Sequence, residues 1–173
     1  MTSPGTLDER VTGSKFSTPQ HPRVAPLSVR TVLQRSPAQH LYIQEEAPLL
    51  EALALMVEHE LSAILVLDGE RLSGLFSEHD YLRLLTRNAS MPTVREAMSV
   101  CDYIAHLEDR VQDCLTRMFE KKMSHLVVVD ESSSAVLIPR EVLLREMIVH
   151  LELIHREIVT DQQVMFLRGT YSC

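Results

Sequence analysis

Ser77 and Asp80 place a hydroxyl and a carboxylate three residues apart, in the run Gly74-Leu75-Phe76-Ser77-Glu78-His79-Asp80. If a strand ends at Phe76 and a helix opens after Ser77, the free amides and positive dipole end of that helix converge on one point. Such a point suits an anion, for example a phosphate. Ser77 then offers a hydroxyl to a phosphate or ribose oxygen. Asp80, one turn on, can accept from both ribose hydroxyls, and His79 lies beside them. The same residues have a second reading. Ser at an N-cap with an acidic residue three positions later parallels the capping box, which stabilises a helix with no ligand at all. The local pattern leaves both readings open.

The other reactive residues form no catalytic pattern. His150 and His155 are five apart and point to different helix faces, and the chain has no His-Glu-x-x-His. Glu45 and Glu46 lie beside a turn with no third group to give them separate acid and base roles. No serine sits in Gly-x-Ser-x-Gly, and Cys101, Cys114 and Cys173 have no activating neighbours in sequence. The chain therefore reads as a non-enzyme, without a metal site.

The elements that would hold Ser77 and Asp80 come from apolar spacing. Tyr42-Ile43 reads as a short strand. Pro48 to His59 reads as a helix, with Leu49, Ala52, Leu53 and Met56 on one face. Ala63 to Leu67 is a continuous apolar run, the signature of a buried strand. Asp68-Gly69 signals a hairpin turn, and Leu72 to Phe76 returns as its second strand. A helix follows from Ser77 to about Leu85. This order then repeats. A shift of 62 residues pairs Glu46 with Glu108, Leu53 with Leu115, Met56 with Met118, Glu58 with Glu120, Ser62 with Ser124, Val66 with Val128 and Asp68 with Asp130. A segment ahead of the first strand repeats as well, Val29 to Leu33 against Val94 to Met98. The chain is an internal duplication of strand–helix–strand–strand–helix units, an α/β architecture in which two small sheets pack together.

Two such repeats, each with an apolar strand ending in Asp, resemble a tandem CBS-domain pair. The first copy carries the turn and then Gly-apolar-x-Ser-x-x-Asp, as Leu65 to Asp80, and Val94-Arg95-Glu96-Ala97-Met98 fits the family's segment between repeats. The resemblance covers about residues 28–148. It implies duplicated β-α-β-β-α repeats packed as one pair, without catalysis, that bind an adenine nucleotide (AMP, ADP or ATP) in clefts between the repeats. It also implies assembly into a homodimer and signalling of energy state to a partner protein. The matching hydroxyl and carboxylate, Ser77 and Asp80, would contact the nucleotide, and Tyr42, Ile43 and Ile64 would line the base pocket by their positions. Allowing one deletion in the hairpin, the second copy reads Ala135 to Glu141 against Gly74 to Asp80. Ile138 then stands for the hydroxyl and Glu141 for the carboxylate, so this half reads as a degenerate site. Arg140 could still reach the first site's phosphates across the cleft. His125, alone at a strand start, reads as a satisfied cap rather than a ligand. The alternative is a ligand-free structural or interaction module of the same fold.

Boundaries follow from composition. Residues 1–28, rich in Ser, Thr, Pro and Gly, read as a flexible tail, with repeats at 29–88 and 89–148 and a helical extension over 149–173. From Glu141 a helical pattern runs to Gly169, through Met147, Leu151, Ile154 and Ile158. At 1.5 Å per residue it reaches roughly 42 Å, too long for one small module to bury, so its apolar stripe suggests a second copy. No apolar run approaches the ~20 residues of a membrane span. Lys plus Arg total 17 and Asp plus Glu 24, and residues 41–173 carry 12 basic and 22 acidic side chains, or −10. Such a body repels nucleic acid. Three cysteines without a Cys-x-x-Cys pair and a start without an apolar h-region fit a cytoplasmic protein.

Overall fold

Each copy of the duplicated pattern builds its own three-stranded sheet, and the copies differ mainly in their hairpins. The structure, a computed structural model, describes residues 24–36, 40–86, 93–130 and 134–169. The first sheet holds β1 (Tyr42–Gln44), β2 (Ala63–Asp68) and β3 (Arg71–Ser77) in that order. β1 runs parallel to β2 through the helix α2 (Leu49–Glu58), and β3 returns antiparallel. The second sheet has the same order with β4 (Ile104–His106), β5 (His125–Val129) and β6 (Ala135–Pro139), crossing over through α5 (Val111–Glu120). The central strands β2 and β5 are covered on both faces, which is why they read as unbroken apolar runs rather than alternations. β2 packs against β6, joining the sheets. The helix α3 (Glu78–Leu85) follows β3, and α6 (Arg140–Gly169) follows β6.

Residues 26–153 form one compact unit. In the other, made of residues 1–25 and 154–173, the described contact is Val24 N donating to Glu157 Oε2 at 3.2 Å. Of the expected tail, residues 1–23 lie outside the described residues. Its last part is not a tail. Leu27 is buried in the core, and Ser28 caps α1 (Val29–Arg35) by accepting from Thr31 N.

The leading segments of the two repeats are exchanged. Leu27, Val29 and Val32 pack into the core of the second sheet, beside Val111, Met118 and Leu126. Val29 N donates to Asp109 O, Arg30 N to Leu107 O, and Val111 N to Leu27 O. Reciprocally, Val94 and Ala97 of α4 (Val94–Ala97) pack into the first core with Ile64 and Phe76. There Val94 N donates to Ala47 O and Arg95 N to Glu45 O. Boundaries at 29–88 and 89–148 thus divide the sequence pattern but not the packing. The apolar residues that open each repeat find their matching surface on the other copy. Each fully buried Val or Leu contributes about 1.5–3 kcal/mol.

The structure also corrects the match between hairpins. Ala63 faces Ser77 across the first and His125 faces Pro139 across the second. Glu78 N donates to Ser62 O and Arg140 N to Ser124 O. The 62-residue shift therefore holds past the hairpin, so Ser77 corresponds to Pro139 and Asp80 to Val142, not to Ile138 and Glu141. The deletion read from sequence is offset by a bulge, since β3 slips register between Val66 and Leu67 whereas β5 and β6 pair without one. The turn of the second hairpin, 131–133, lies outside the described residues.

Gly74 sits where Leu75 and Ser99 exchange backbone hydrogen bonds of 2.9 and 2.8 Å. A Cβ there would lie 2.5 Å from Ser99 O, a backbone atom that cannot swing away. Gly74→Ala is expected to cost about 1–3 kcal/mol, a fall in Tm of roughly 3–10 °C at this size. A urea or thermal transition unchanged from the parent would show that this crossing does not hold the segment after α4.

Candidate functional site

The strand β3 delivers Ser77 to the N-cap of α3, and the capping box is complete. Asp80 N donates to Ser77 Oγ, while Asp80 Oδ2 accepts from Ser77 N at 3.0 Å and from Ser77 Oγ at 2.6 Å. The other oxygen, Oδ1, accepts from Ser99 Oγ at 2.6 Å and from the Arg83 guanidinium at 2.8 Å. Asp80 is 3% exposed. A carboxylate offers about four acceptor positions, and four donors occupy them. The helix-cap reading of this pair is realised in full, and a ribose diol would have to displace Ser99 or Arg83. Neither of those partners stands out in sequence, because both are single polar residues that only the fold brings to Asp80.

The other expected residues are dispersed. Ile43 and Ile64 belong to the first sheet's core, with Ile64 only 1% exposed and clustered with Phe76. Tyr42 points to the opposite side of β1 and is 56% exposed. His79 is exposed on α3. The Arg140 guanidinium donates to Met123 O at 3.2 Å and lies 5.3 Å over the Phe119 ring.

A cavity of about 250 Å³ opens instead between the start of β2 and the end of β6. The first repeat lines it with Leu41, Glu60, Ser62 and Ala63. The second repeat supplies His125, Leu137, Ile138, Pro139 and Val142. Sequence reasoning missed this cavity because its walls are ordinary apolar positions. The signal that could have found it is the 62-residue shift carried through, which sets His125 opposite Ala63 and leaves small or apolar residues around it.

His125 joins the repeats at this point. Ser62 Oγ lies 2.9 Å from Nε2 and Ser124 Oγ 3.0 Å from Nδ1, so both ring nitrogens have hydroxyl partners. A neutral imidazole donates from one nitrogen and accepts at the other, and hydroxyls can serve either role. The ring is 6% exposed. Burial pushes its pKa below the ordinary value of 6.5, outweighing the carboxylates of Glu141 and Glu78, which pull it up. Among the described residues, no group of three or more His, Cys, Asp or Glu could hold a metal ion, and no helix is long and apolar enough to cross a membrane.

Two outcomes follow. Ser77→Ala should cost about 1 kcal/mol as a lost cap. Asp80→Ala should cost more, about 2–3 kcal/mol, because charge-assisted bonds are lost and Ser99 loses its acceptor. Equal small losses in urea unfolding would mean that the network does not hold α3. For His125 the folded pKa is depressed, so the stability of its neutral state is complete above pH 6.5 and declines as pH falls toward the folded value. His125→Asn should flatten the loss of stability between pH 7 and 5.5; parallel curves for the two proteins would refute the assignment.

Comparison with known proteins agrees with this architecture. The family model of the CBS domain matches residues 29–87. The meiotically up-regulated gene 70 protein of Schizosaccharomyces pombe is 37% identical over 89 residues, 50% of this chain. The chain spans about 12% of the length of that curated relative. A putative signal-transduction protein with CBS domains from Burkholderia ambifaria MC40-6 is 26% identical with a TM-score of 0.65, over 70% of this chain and 94% of its own. CBSX2, a CBS-pair protein of Arabidopsis thaliana, is solved in complex with AMP; it is 21% identical with a TM-score of 0.56, over 70% of this chain and 96% of its own, a likeness of fold. The duplicated sheets, the exchanged leading segments and these matches have one reading: residues 29–87 match the CBS domain, and the two repeats together have the fold of a CBS pair.

Proposed function

We propose that this chain is a regulatory module that takes an adenine nucleotide (AMP, ADP or ATP) between its repeats and passes the change to a partner protein. The observation that carries this reading is the cavity beside His125. Its walls come from both repeats, so a molecule seated there ties β2 to β6. A volume of about 250 Å³ lies near the lower end of small-molecule pockets, which begin at about 300 Å³. Apolar walls suit a purine face, and the hydroxyls of Ser62 and of Ser36, which also lines the cavity, suit the edge of a base or a ribose. Ser77 and Asp80 are a second place for a ribose, provided that Ser99 yields its hold on Asp80. The sequence of the two repeats carries no recognisable catalytic pattern, which favours regulation over catalysis, and the free thiols of Cys101 and Cys114 fit the cytoplasm. CBS domains generally regulate rather than catalyse, and CBSX2 with AMP supports the ligand class.

One observation favours the ligand-free alternative, namely the complete occupation of Asp80 by internal donors. Calorimetry and thermal shift with AMP, and GTP as the control for base recognition, separate the readings. A ligand at 100 times its Kd stabilises by about 2.7 kcal/mol, roughly 5–10 °C in Tm at this size. Val142→Phe should fill the cavity and abolish the AMP shift, while Asp80→Asn should retain it. Loss with Asp80→Asn alone would move the site to Ser77 and Asp80. No binding by any adenine nucleotide at millimolar concentration would establish the ligand-free module.

We further propose a homodimer. Leu50, Ala54 and Val57 form an exposed apolar stripe on α2, and Ile148 and Leu151 are exposed on α6. Faces of this kind are covered by association. Light scattering at low micromolar concentration should give twice the mass of the chain, and replacing Val57 and Ile148 with Glu should return the monomer. A monomeric parent protein would refute the dimer.

A further inference from the structure

We infer that the cavity beside His125 discriminates against phosphate, so that it ranks adenosine above AMP and AMP above ATP. The inference rests on the proposed adenine-ligand function and concerns which end of such a ligand is recognised. Among the described residues, no Lys or Arg lines this cavity, and the ionised side chain at its wall is Glu60. His125 is a poor source of compensating charge, because the ring is buried and its burial pushes the pKa below the ordinary value. The adjoining helix start is also poor in anion donors. Pro139 has no N–H, and the next amide, Arg140 N, is spent on Ser124 O at 2.8 Å. The Arg140 guanidinium is turned to Met123 O and Phe119.

The duplication shows that this charge is specific to one copy. Glu60 and Lys122 are related by the 62-residue shift and share a left-handed turn, with φ of 52° and 57°. A carboxylate stands at one position and an ammonium at the other, on the same backbone. A nucleotide phosphate carries roughly −1.5 to −2 charges at neutral pH. Beside Glu60, in a body whose residues 41–173 carry −10, each added phosphate is repelled rather than held. Adenosine has no such charge and keeps the base and ribose contacts.

Calorimetry on the full chain with adenosine, AMP and ATP, without magnesium, tests the ranking. Affinity is expected to fall by roughly tenfold from adenosine to AMP and again to ATP at low salt, with smaller gaps at 0.5 M salt as the repulsion is screened. Glu60→Lys should raise the AMP-to-adenosine affinity ratio by roughly tenfold or more. Lys122 already shows that lysine accepts this turn, and the Tm of the variant verifies its fold. AMP or ATP binding more tightly than adenosine, or a ratio unmoved by Glu60→Lys, would overturn the inference while leaving adenine binding intact. No binding by all three would instead overturn the proposed function, and this ranking with it.

Discussion

Each repeat lacks the piece of core that its own leading segment would be expected to supply, and receives that piece from the other copy. Val29 and Val32 fill the second core, and Val94 and Ala97 fill the first. Backbone hydrogen bonds accompany both transfers, from Val29 N to Asp109 O and from Val94 N to Ala47 O. Neither sheet can therefore be separated from its neighbour without exposing buried valines and orphaning amides. The arrangement also fixes where the two sheets meet. With the leading segments committed across the pair, β2 is held against β6, and the space left at that seam is the cavity beside His125.

Electrostatics reinforces the exchange on the first repeat. Glu45 is buried, accepts from Ser73 Oγ at 2.7 Å, and pairs with Arg95, which also reaches Glu46 at 3.0 Å. The carboxylate lies on the first repeat and the guanidinium on the segment that leads the second. Ser99 continues this docking four residues later, where its backbone binds Leu75 and its hydroxyl binds Asp80. Asp80 thus serves two structural ends at once, capping α3 and anchoring the incoming segment. A ligand competing for that carboxylate would be competing with part of the inter-repeat joint.

The fold was largely legible because its signals are periodic and doubled. The apolar runs at Ala63 to Leu67 and His125 to Val129, the Pro-led helix after Ala47 and the Ser77 cap all fall where spacing put them. Two features escaped. The exchange of leading segments is a choice between equivalent apolar surfaces, and a sequence that repeats offers Val29 two nearly identical cores. The hairpin match failed for a different reason. A bulge at Val66/Leu67 adds a residue to one strand of the first repeat, whereas β5 and β6 pair without one, so the two hairpins match in length but look in sequence as if one residue were deleted. The site was the least legible part. Ser77 and Asp80 carry the right chemical groups, but those groups are consumed by Ser99 and Arg83, residues that nothing in the local pattern ties to them.

Duplication places every cleft-facing position twice, so each substitution in one copy has a counterpart against which its effect is read. At the 62-residue shift, Ser77 and Asp80 stand against Pro139 and Val142, Ala63 against His125, and Glu60 against Lys122. The first pair removes hydroxyl and carboxylate from the start of α6, and with them the internal network that closes the start of α3. The second puts an imidazole where a methyl group stands, bridging Ser62 to Ser124 across the repeats. The third reverses the charge at a turn whose backbone is the same in both copies. These changes act in one direction. They leave the α6 side open and apolar, with no Lys or Arg among the described residues lining its cavity, and the α3 side closed by its own carboxylate. A symmetric fold has in this way been given two chemically different faces, and they differ through side chains at matched backbone positions rather than through any change of architecture.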